Sequence, residues 1–267
     1  MSAVLGIFCA LAVVVGAGLC DGDPISALYS TTALIIVFGG TLTALMTQFG
    51  FKHMLTGFAR FMWLVKPPLV DLHEFIENAA RWSNLCRTQG SLALEKELPA
   101  ITDAFQRQAL QLIVVNVSAE DLQYTLEVLA QNATHEDEIS GELWEAGGGY
   151  LPTIGVMGAV LGLIHVMMRL DHPEELGAGV ATAFVATIYG VGAANLIFLP
   201  VGTRLSGLAR IRERERQLVI QAFLLIKEGK SGLMIKQTLH SFLTGHAKGK
   251  EKEVVAEPPL DAIGEAA

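Results

Sequence analysis

Four long stretches without charged residues interrupt an otherwise polar chain. They cover residues 1–20, about 29–49, 150–168 and about 178–201. Each is apolar over roughly 17–25 residues, which is the length that an α-helix needs to cross the hydrocarbon core of a bilayer. A charged segment of about a hundred residues separates the second stretch from the third, and a charged tail of about sixty-five residues follows the fourth.

This pattern predicts an all-α integral membrane protein with four transmembrane helices and a large helical cytoplasmic loop between spans two and three. The predicted organisation follows the four stretches: transmembrane helices 1 and 2 in residues 1–50, a cytoplasmic helical domain in 51–146, transmembrane helices 3 and 4 in 147–202, and a cytoplasmic tail in 203–267. We expect the tail to begin as an amphipathic helix and to end in disorder.

The first stretch is expected to stay in the mature protein. No basic residue precedes its apolar core, and no small-x-small cleavage site follows it, so it does not fit a signal peptide. The three cysteines, Cys9, Cys20 and Cys86, are odd in number and scattered. We therefore expect no disulfide framework, no metal site and no cofactor.

The basic residues set the expected orientation. The loop after span two holds seven of the nineteen, the tail holds eleven, and only Arg169 lies in a short connection. Because lysine and arginine concentrate on the cytoplasmic side of a membrane, we expect both termini and the large loop to be cytoplasmic. Acidic and basic residues are intermixed, so the net charge of −8 indicates no nucleic-acid partner.

The large loop shows helical periodicity. Leu72, Phe75, Ile76 and Ala79 share one face of a predicted helix, and Glu77 and Arg81 have the spacing of an ion pair on the other. Ser118 is expected to cap a later helix, with Asp121 three residues on. The tail sequence RIRERERQLVIQAFLLI is interpreted as a solvated helix near anionic lipid. No nucleophile–base constellation or phosphate-binding loop is present, so we expect no enzymatic activity.

Small residues recur at four-residue spacing in spans three and four. The pairs are Gly155 with Ala159, Gly158 with Gly162, and the series Ala186, Gly190 and Ala194. Such spacing lets membrane helices approach closely, so spans three and four are predicted to be interior helices. Spans one and two are better candidates to face lipid. Pro152 is expected in the first turn of span three, where a proline costs little.

Two sequences around these glycines resemble a known family. YLPTIGVMGAVLGLI and GVATAFVATIYGVGAANLIFLPVGTRL are similar to the third and fourth spans of the MotA/TolQ/ExbB proton-channel family. The four predicted spans and RTQGSLALE at residues 87–95 resemble the MotA branch, the flagellar motor stator subunits of the bacterial inner membrane. The resemblance covers nearly the whole chain except its last twenty residues.

The resemblance implies an assembly. Chains of this type form a ring of five around two copies of a MotB-like single-span partner, with spans three and four inside and lipid outside. Ions pass at that interface, and the ring turns against the rotor.

The resemblance also implies roles for particular residues. Pro152 and Pro200 match prolines that couple conduction to movement, and Thr187 matches a threonine near the partner's ion-binding acid. Tyr189 is grouped with this ion pathway, although packing is the alternative role for Tyr189, as it is for Asn195. Thr187 has the alternative of a hydrogen bond back to the carbonyl of Ala183.

Two charged residues of the loop have an implied role as well. Arg87 and Glu95 match the charged pair that contacts the rotor protein FliG. Ordinary solvated charges are the alternative.

The residues themselves support part of this function. The four spans contain no acid and no lysine, so a proton path needs a carboxylate from a partner. His165 has the weaker alternative of a proton-path residue. The sodium-driven members have a threonine where this sequence has Ala159, which predicts proton coupling. The rival functions are a TolQ/ExbB-type energiser of envelope machinery, which would have three spans, and a non-conducting scaffold or permease subunit.

Overall fold

The computed structural model describes residues 5–9, 12–13, 16, 29–168, 171 and 173–242. Every regular element in these ranges is helical, in agreement with the predicted all-α fold. In chain order the main helices are α1 (Thr31–Leu64), α2 (Leu72–Gln89), α3 (Ala104–Val114), α4 (Ala119–Met167), α5 (Pro173–Ala193), α6 (Leu199–Lys227) and α7 (232–242). A 3₁₀ helix at Ser91–Ala100 joins α2 to α3, and a π-helical turn at Ala194–Phe198 joins α5 to α6.

Three of the described helices are long and apolar enough to cross a membrane. They are α1 (Thr31–Leu64), α4 (Ala119–Met167) and Gly179–Lys227, which runs from α5 through the π-helical turn into α6. These helices overlap the second, third and fourth predicted spans. The first predicted span, residues 1–20, falls largely outside the described residues, so the count of four spans stays a prediction.

The chain divides into two compact units. Unit 1 comprises Met1–Pro68 and Ala133–Arg212, and unit 2 comprises Leu69–Asn132 and Glu213–Ala267. The helices α4 and α6 each contribute residues to both units. The predicted boundaries at 146 and 202 follow the membrane pattern, whereas the units divide the chain by packing.

Unit 1 is built on α1, the C-terminal part of α4, α5 and the start of α6. The backbone of α1 leaves the helical region at Gly50, with φ 73° and ψ 160°, a conformation that is almost confined to glycine. Trp144 of α4 anchors the apolar core of the unit. Its indole N–H donates to the carbonyl of Gly57 at 3.0 Å, and its ring lies 5.1 Å from Phe58 and 4.8 Å from Phe198.

A charged cluster fixes three helices of unit 1 to one another. Asp137 of α4 is 3 % exposed and accepts from Arg60 of α1 at 3.2 Å and from Arg212 of α6 at 3.0 Å. The guanidinium groups of both arginines stack on Trp63, at 4.6 and 4.8 Å from the ring centre. Arg60 also donates to Ser140 at 3.0 Å. One carboxylate therefore partly neutralises the positive charges of two largely buried arginine side chains.

Unit 2 confirms the predicted apolar face of α2. Phe75, Ile76 and Ala79 are buried, and Leu72 is half-buried. Asp71 caps the helix, accepting from the backbone N–H of residues 73 and 74 at 3.0 and 3.1 Å. The predicted cap of α4 is also confirmed.

That cap is formed by two reciprocal hydrogen bonds. The backbone N–H of Asp121 donates to Ser118 Oγ at 3.0 Å, and Ser118 Oγ donates to the Asp121 carboxylate at 2.6 Å.

Two sequence predictions for unit 2 are wrong. Glu77 and Arg81 do not pair with each other, because each has a partner on another element. Arg81 binds Glu97 at 2.8 Å. The hydrogen bond from Lys236 of α7 lowers the pKa of the Glu77 carboxyl.

The tail sequence after Arg210 is not a solvated helix. Its apolar residues from Leu218 onward pack in the core of unit 2, where Phe223 stacks on Trp82 with ring centres 5.9 Å apart. Glu215 and Arg216 are buried as well. The alternating charges of this sequence indicated an exposed helix, although the helix also has an apolar face that other helices cover.

The Asp137 cluster generates a prediction about stability. Asp137→Ala removes the carboxylate and leaves two largely buried guanidinium groups without it, which should cost about 3 kcal/mol of unfolding free energy. Glu142→Ala removes an exposed acid from the same helix and should cost less than about 0.5 kcal/mol. The measurement is the unfolding of each purified variant in detergent, and equal losses from the two variants would contradict a structural role for the cluster.

Candidate functional site

The backbones of α4 and α5 touch at two glycines. A Cβ atom at Gly190 would lie 2.5 Å from the carbonyl oxygen of Leu151 and 3.0 Å from the Cα of Gly155. A Cβ atom at Gly155 would lie 3.0 Å from the carbonyl oxygen of Ala186. A side chain at Gly190 would strike backbone, which has no rotamer to escape into, so the approach requires glycine there. At Gly155 a Cβ atom would be tighter than an ordinary contact.

The contact continues from Gly155 toward the C-terminal end of α4. A Cβ atom at Gly158 would lie 3.1 Å from the methyl group of Ala186 and 3.3 Å from Ile36 of α1. A Cβ atom at Gly162 would lie 3.2 Å from the Cα of Ala183. The small residues of span three thus pack on the small residues of span four, and span two packs beside them.

Each of the two helices also keeps an apolar face uncovered, on the side away from the glycine contact. The side chains on these faces are 45–67 % exposed within the described chain: Val156, Met157, Val160, Leu161, Leu163, Ile164, Met167, Phe184, Ile188 and Val191. Ala159 beside them is half-buried. Apolar surface of this extent needs lipid or another protein chain against it.

Thr187 and Tyr189 lie on α5 at the edge of the glycine contact. The hydroxyl of Thr187 donates to the carbonyl of Ala183 at 3.4 Å, which is the packing alternative named for it from the sequence. The hydroxyl of Tyr189 accepts from the backbone N–H of Ser30 at 3.4 Å, and its ring lies 6.4 Å from Phe38. Tyr189 thereby joins α5 to α1.

The prediction for Pro152 is wrong in its placement. Pro152 lies well inside α4, because the helix begins at Ala119 and not at the membrane boundary. A proline there has no N–H to donate to the carbonyl four residues earlier, at Gly148. The membrane part of α4 therefore begins at a weakened point of a continuous helix.

Pro200 lies at the second residue of α6, directly after the π-helical turn. The N–H of Leu199 donates to the carbonyl of Ala194, in the five-residue register of that turn. The Asn195 side chain donates to the carbonyl of Val191 at 2.9 Å. An open groove of about 570 Å³ runs along this face of the helix, and its lining residues are Asn195, Leu199, Pro200, Thr203, Arg204 and Gly207.

The site contains little chemistry of its own. The sequence has no acid, lysine or arginine in residues 150–168 or 178–201. Within the part of the chain that the structure describes, no three His, Cys, Asp or Glu side chains gather as metal ligands would. What the arrangement offers is a tightly packed pair of helices with a hydroxyl at Thr187 and an open apolar face.

Arg87 and Glu95 belong to unit 2. Arg87 lies in the last turn of α2, and Glu95 lies in the 3₁₀ helix that follows. Both side chains are exposed. In the part of the chain that the structure describes, both side chains are therefore accessible to a binding partner.

Comparisons with known proteins identify the family. Residues 97–218 match the model of the MotA/TolQ/ExbB proton channel family. Motility protein A of Bacillus subtilis is 31% identical over 225 residues, which cover 83% of each chain. The chain belongs to the MotA/TolQ/ExbB proton channel family.

Solved structures agree with this assignment. The structure of MotAB from C. jejuni superposes with a TM-score of 0.81 at 26% identity, covering 90% of this chain and 94% of that one. The flagellar MotAB stator complex from Bacillus subtilis gives a TM-score of 0.80 at 28% identity, covering 91% and 96%. Within the family, this chain functions as a flagellar motor stator subunit.

The sequence did not reveal the Asp137 cluster. Residues 60, 137 and 212 are far apart along the chain, and Asp137 and Arg212 each lie among other charged residues. The local signal for the cluster is Trp63, three residues after Arg60, because arginine side chains stack on indole rings.

The glycine contact generates a prediction that a neighbouring glycine controls. Gly190→Ala places a methyl group against the backbone of Leu151 and Gly155, and should lower the unfolding free energy by about 2 kcal/mol. Gly192→Ala meets no atom within 4 Å and should leave stability unchanged. Thermal unfolding of both variants in detergent gives the comparison. A Gly190→Ala protein as stable as Gly192→Ala would show that α4 and α5 do not approach this closely.

Proposed function

We propose that this stator subunit forms the wall of a proton path, and that a MotB-like single-span partner supplies the acid. The observation that carries the proposal is an open apolar face beside Thr187 on spans that have no acid or lysine of their own. Protons crossing hydrocarbon need ionisable groups or water. The similar solved structures contain MotA with MotB, which supports a partner of that type here.

The proposed assembly is a ring of five chains around two partner chains. Uncovered apolar side chains on both α4 and α5 support it, because two helices packed on each other still present surface to a neighbouring copy and to a partner helix. Lipid covers what remains, chiefly on spans one and two.

Several residues take roles in this proposal. Thr187 lies beside the partner's acid, and Ala159 lines the path opposite it. Pro152 and Pro200 are the points where the long helices bend as ions pass. Two observations support this role of the prolines. Pro152 interrupts the backbone hydrogen bonding of α4, and Pro200 follows a π-helical turn, a feature that recurs at functional sites. Tyr189 holds α5 against α1 beside the path.

The proposed rotor contact uses Arg87 and Glu95 with the rotor protein FliG. Both charges are exposed, and exposed charges orient a partner more than they add affinity. Reversing both charges, with Arg87→Glu and Glu95→Lys, should abolish swimming in otherwise unchanged cells, and normal swimming would count against the contact.

The proposed location is the bacterial inner membrane, with four spans and both termini in the cytoplasm. Eighteen of the nineteen basic residues fall on one side in that arrangement. After replacement of the native cysteines, a cysteine at residue 22 should react with an impermeant thiol reagent added to intact cells, whereas a cysteine at residue 91 should not. The opposite pattern would overturn the orientation.

The proposed ion is the proton. Sodium must lose water in a membrane and needs several oxygen ligands, whereas a proton needs one acceptor carboxylate and water. The methyl group of Ala159 supplies no ligand. Of Ala159 and Thr187, only Thr187 therefore contributes a side-chain hydroxyl. In cells that lack their own stators, the chain with its MotB-like partner should restore swimming that a protonophore stops. Replacing sodium with potassium should leave the speed unchanged. Rotation that stops on sodium removal, at constant proton-motive force, would refute proton coupling.

A further inference from the structure

Three turns of unit 2 meet at the C-terminal end of α2. The first is the turn after α2 itself, where Gly90 has φ 85° and its N–H donates to the carbonyl of Cys86 at 2.9 Å. The second joins α6 to α7. Ser83 of α2 donates to the carbonyl of Lys230, and the N–H of Gly232 donates to the side chain of Asn84 at 3.2 Å.

The third turn joins α3 to α4 and is tied to the same end of the unit. Lys227 at the end of α6 donates to the side chain of Asn116 at 2.6 Å. Burial raises the pKa of the Cys86 thiol of α2, and the positive charge of Lys227 opposes part of that rise. The α6–α7 turn is thus bonded to α2 at Ser83 and Asn84, and the α3–α4 turn is bonded to the end of α6 that leads into the α6–α7 turn.

A large apolar side chain is exposed to solvent at or directly after each turn. Leu92 is 71 % exposed, Val115 is 75 % exposed and Leu233 is 69 % exposed. Single exposed apolar residues are common on any protein. Three on separate turns at one end of a unit, beside an otherwise well-buried core, indicate a surface that another molecule covers.

This surface is held rigidly. Leu94, two residues after Leu92, is fully buried in the core of unit 2. The carboxylate of Glu97 accepts from Arg81 at 2.8 Å and from the indole of Trp82 at 3.3 Å, which fixes the 3₁₀ helix on α2. A rigid surface loses little conformational entropy when it binds, so its apolar contacts contribute more fully to affinity.

The charges at this end of the unit select the kind of partner. Exposed cations at Arg87 and Lys230 are balanced by exposed anions at Glu95 and Glu228, and Lys230 pairs with Glu228 at 3.5 Å. This balance gives an anionic membrane no net electrostatic attraction. A protein with an apolar patch and charges of both signs would complement the whole surface, in the usual arrangement of an apolar centre and a polar rim.

We propose that Leu92, Val115 and Leu233 form the apolar centre of the rotor-binding surface. They supply the affinity of the contact that Arg87 and Glu95 orient. We call these three residues the turn face. The inference rests on the proposed function and adds to it, because no apolar residue had a role in the rotor contact.

The test replaces all three residues with serine in the full chain, in cells that carry the MotB-like partner. The number of fluorescently tagged copies at each motor should fall about fivefold or more, since removing central apolar contacts of an interface has effects of that size. The amount of protein in the membrane should be unchanged, because all three side chains already face solvent. Replacement with Met at 92 and 233 and with Ile at 115 should preserve binding to the motor.

A matched control is available at the other end of α2. Leu69 is 43 % exposed and precedes the N-terminal end of α2, whose 18 residues span roughly 27 Å. Leu69→Ser should leave motor occupancy unchanged. A photoreactive amino acid at position 92 should crosslink to the rotor protein, identified by antibody.

The outcomes separate the two proposals. If the unaltered chain restores swimming but the triple-serine variant occupies motors equally well, the turn face is wrong and the proposed function stands. A loss from Leu69→Ser as large as that from the triple variant, a crosslink at 92 to a second copy of this chain, or no crosslink to the rotor protein would also overturn the turn face. Failure of the unaltered chain to restore swimming would overturn both.

Discussion

Direct backbone contact between α4 and α5 is the constraint on which the membrane part of unit 1 depends. Lipid gives apolar helices no hydrophobic reason to associate, so packing at close range has to hold them together. Residue numbers rise along α4 while their contacts fall along α5, from Gly155 against Gly190 to Gly162 against Ala183. The helices are therefore antiparallel in a fixed register, and that register decides which side chains remain uncovered.

The Asp137 cluster extends this order beyond the apolar core. The glycine contact joins α4 to α5, while the carboxylate of Asp137 joins α4 to α1 and α6 through two arginines. Trp63 shields both guanidinium groups on one side. Unit 1 thus combines two kinds of helix contact. The glycine contact leaves no room for a larger side chain, whereas the Asp137 cluster requires three charged side chains together.

The sequence predicted the features that depend on local pattern. The length and composition of spans two to four, the buried face of α2 and the cap at Ser118 all follow from residues close together in the chain. Pro152 was misplaced because an amphipathic helix and a membrane span merge without a boundary in α4. The apolar face of α6 was missed because Arg212 and Glu215 alternate with other charges while facing inward.

The candidate site, too, was predictable only where it depends on local sequence pattern. Glycine spacing identified the residues of the helix contact, because a four-residue repeat is a local signal. The pairing of Arg60, Asp137 and Arg212 depends on tertiary contacts, which no spacing in the sequence encodes. The exposure of Leu92, Val115 and Leu233 is also a property of the folded unit, since an apolar residue in a turn reads equally well as core.

The π-helical turn at Ala194–Phe198 has a consequence for how this family of helices can change. A π turn takes up one more residue than an α turn while completing about the same rotation about the helix axis. Deleting a single residue there would restore an ordinary α-helix and leave everything after it, including Pro200 and Arg204, on nearly the same side. Insertion and deletion, and not only substitution, are therefore a route by which such a protein can change the residues of this turn while its coupling residues keep their orientation.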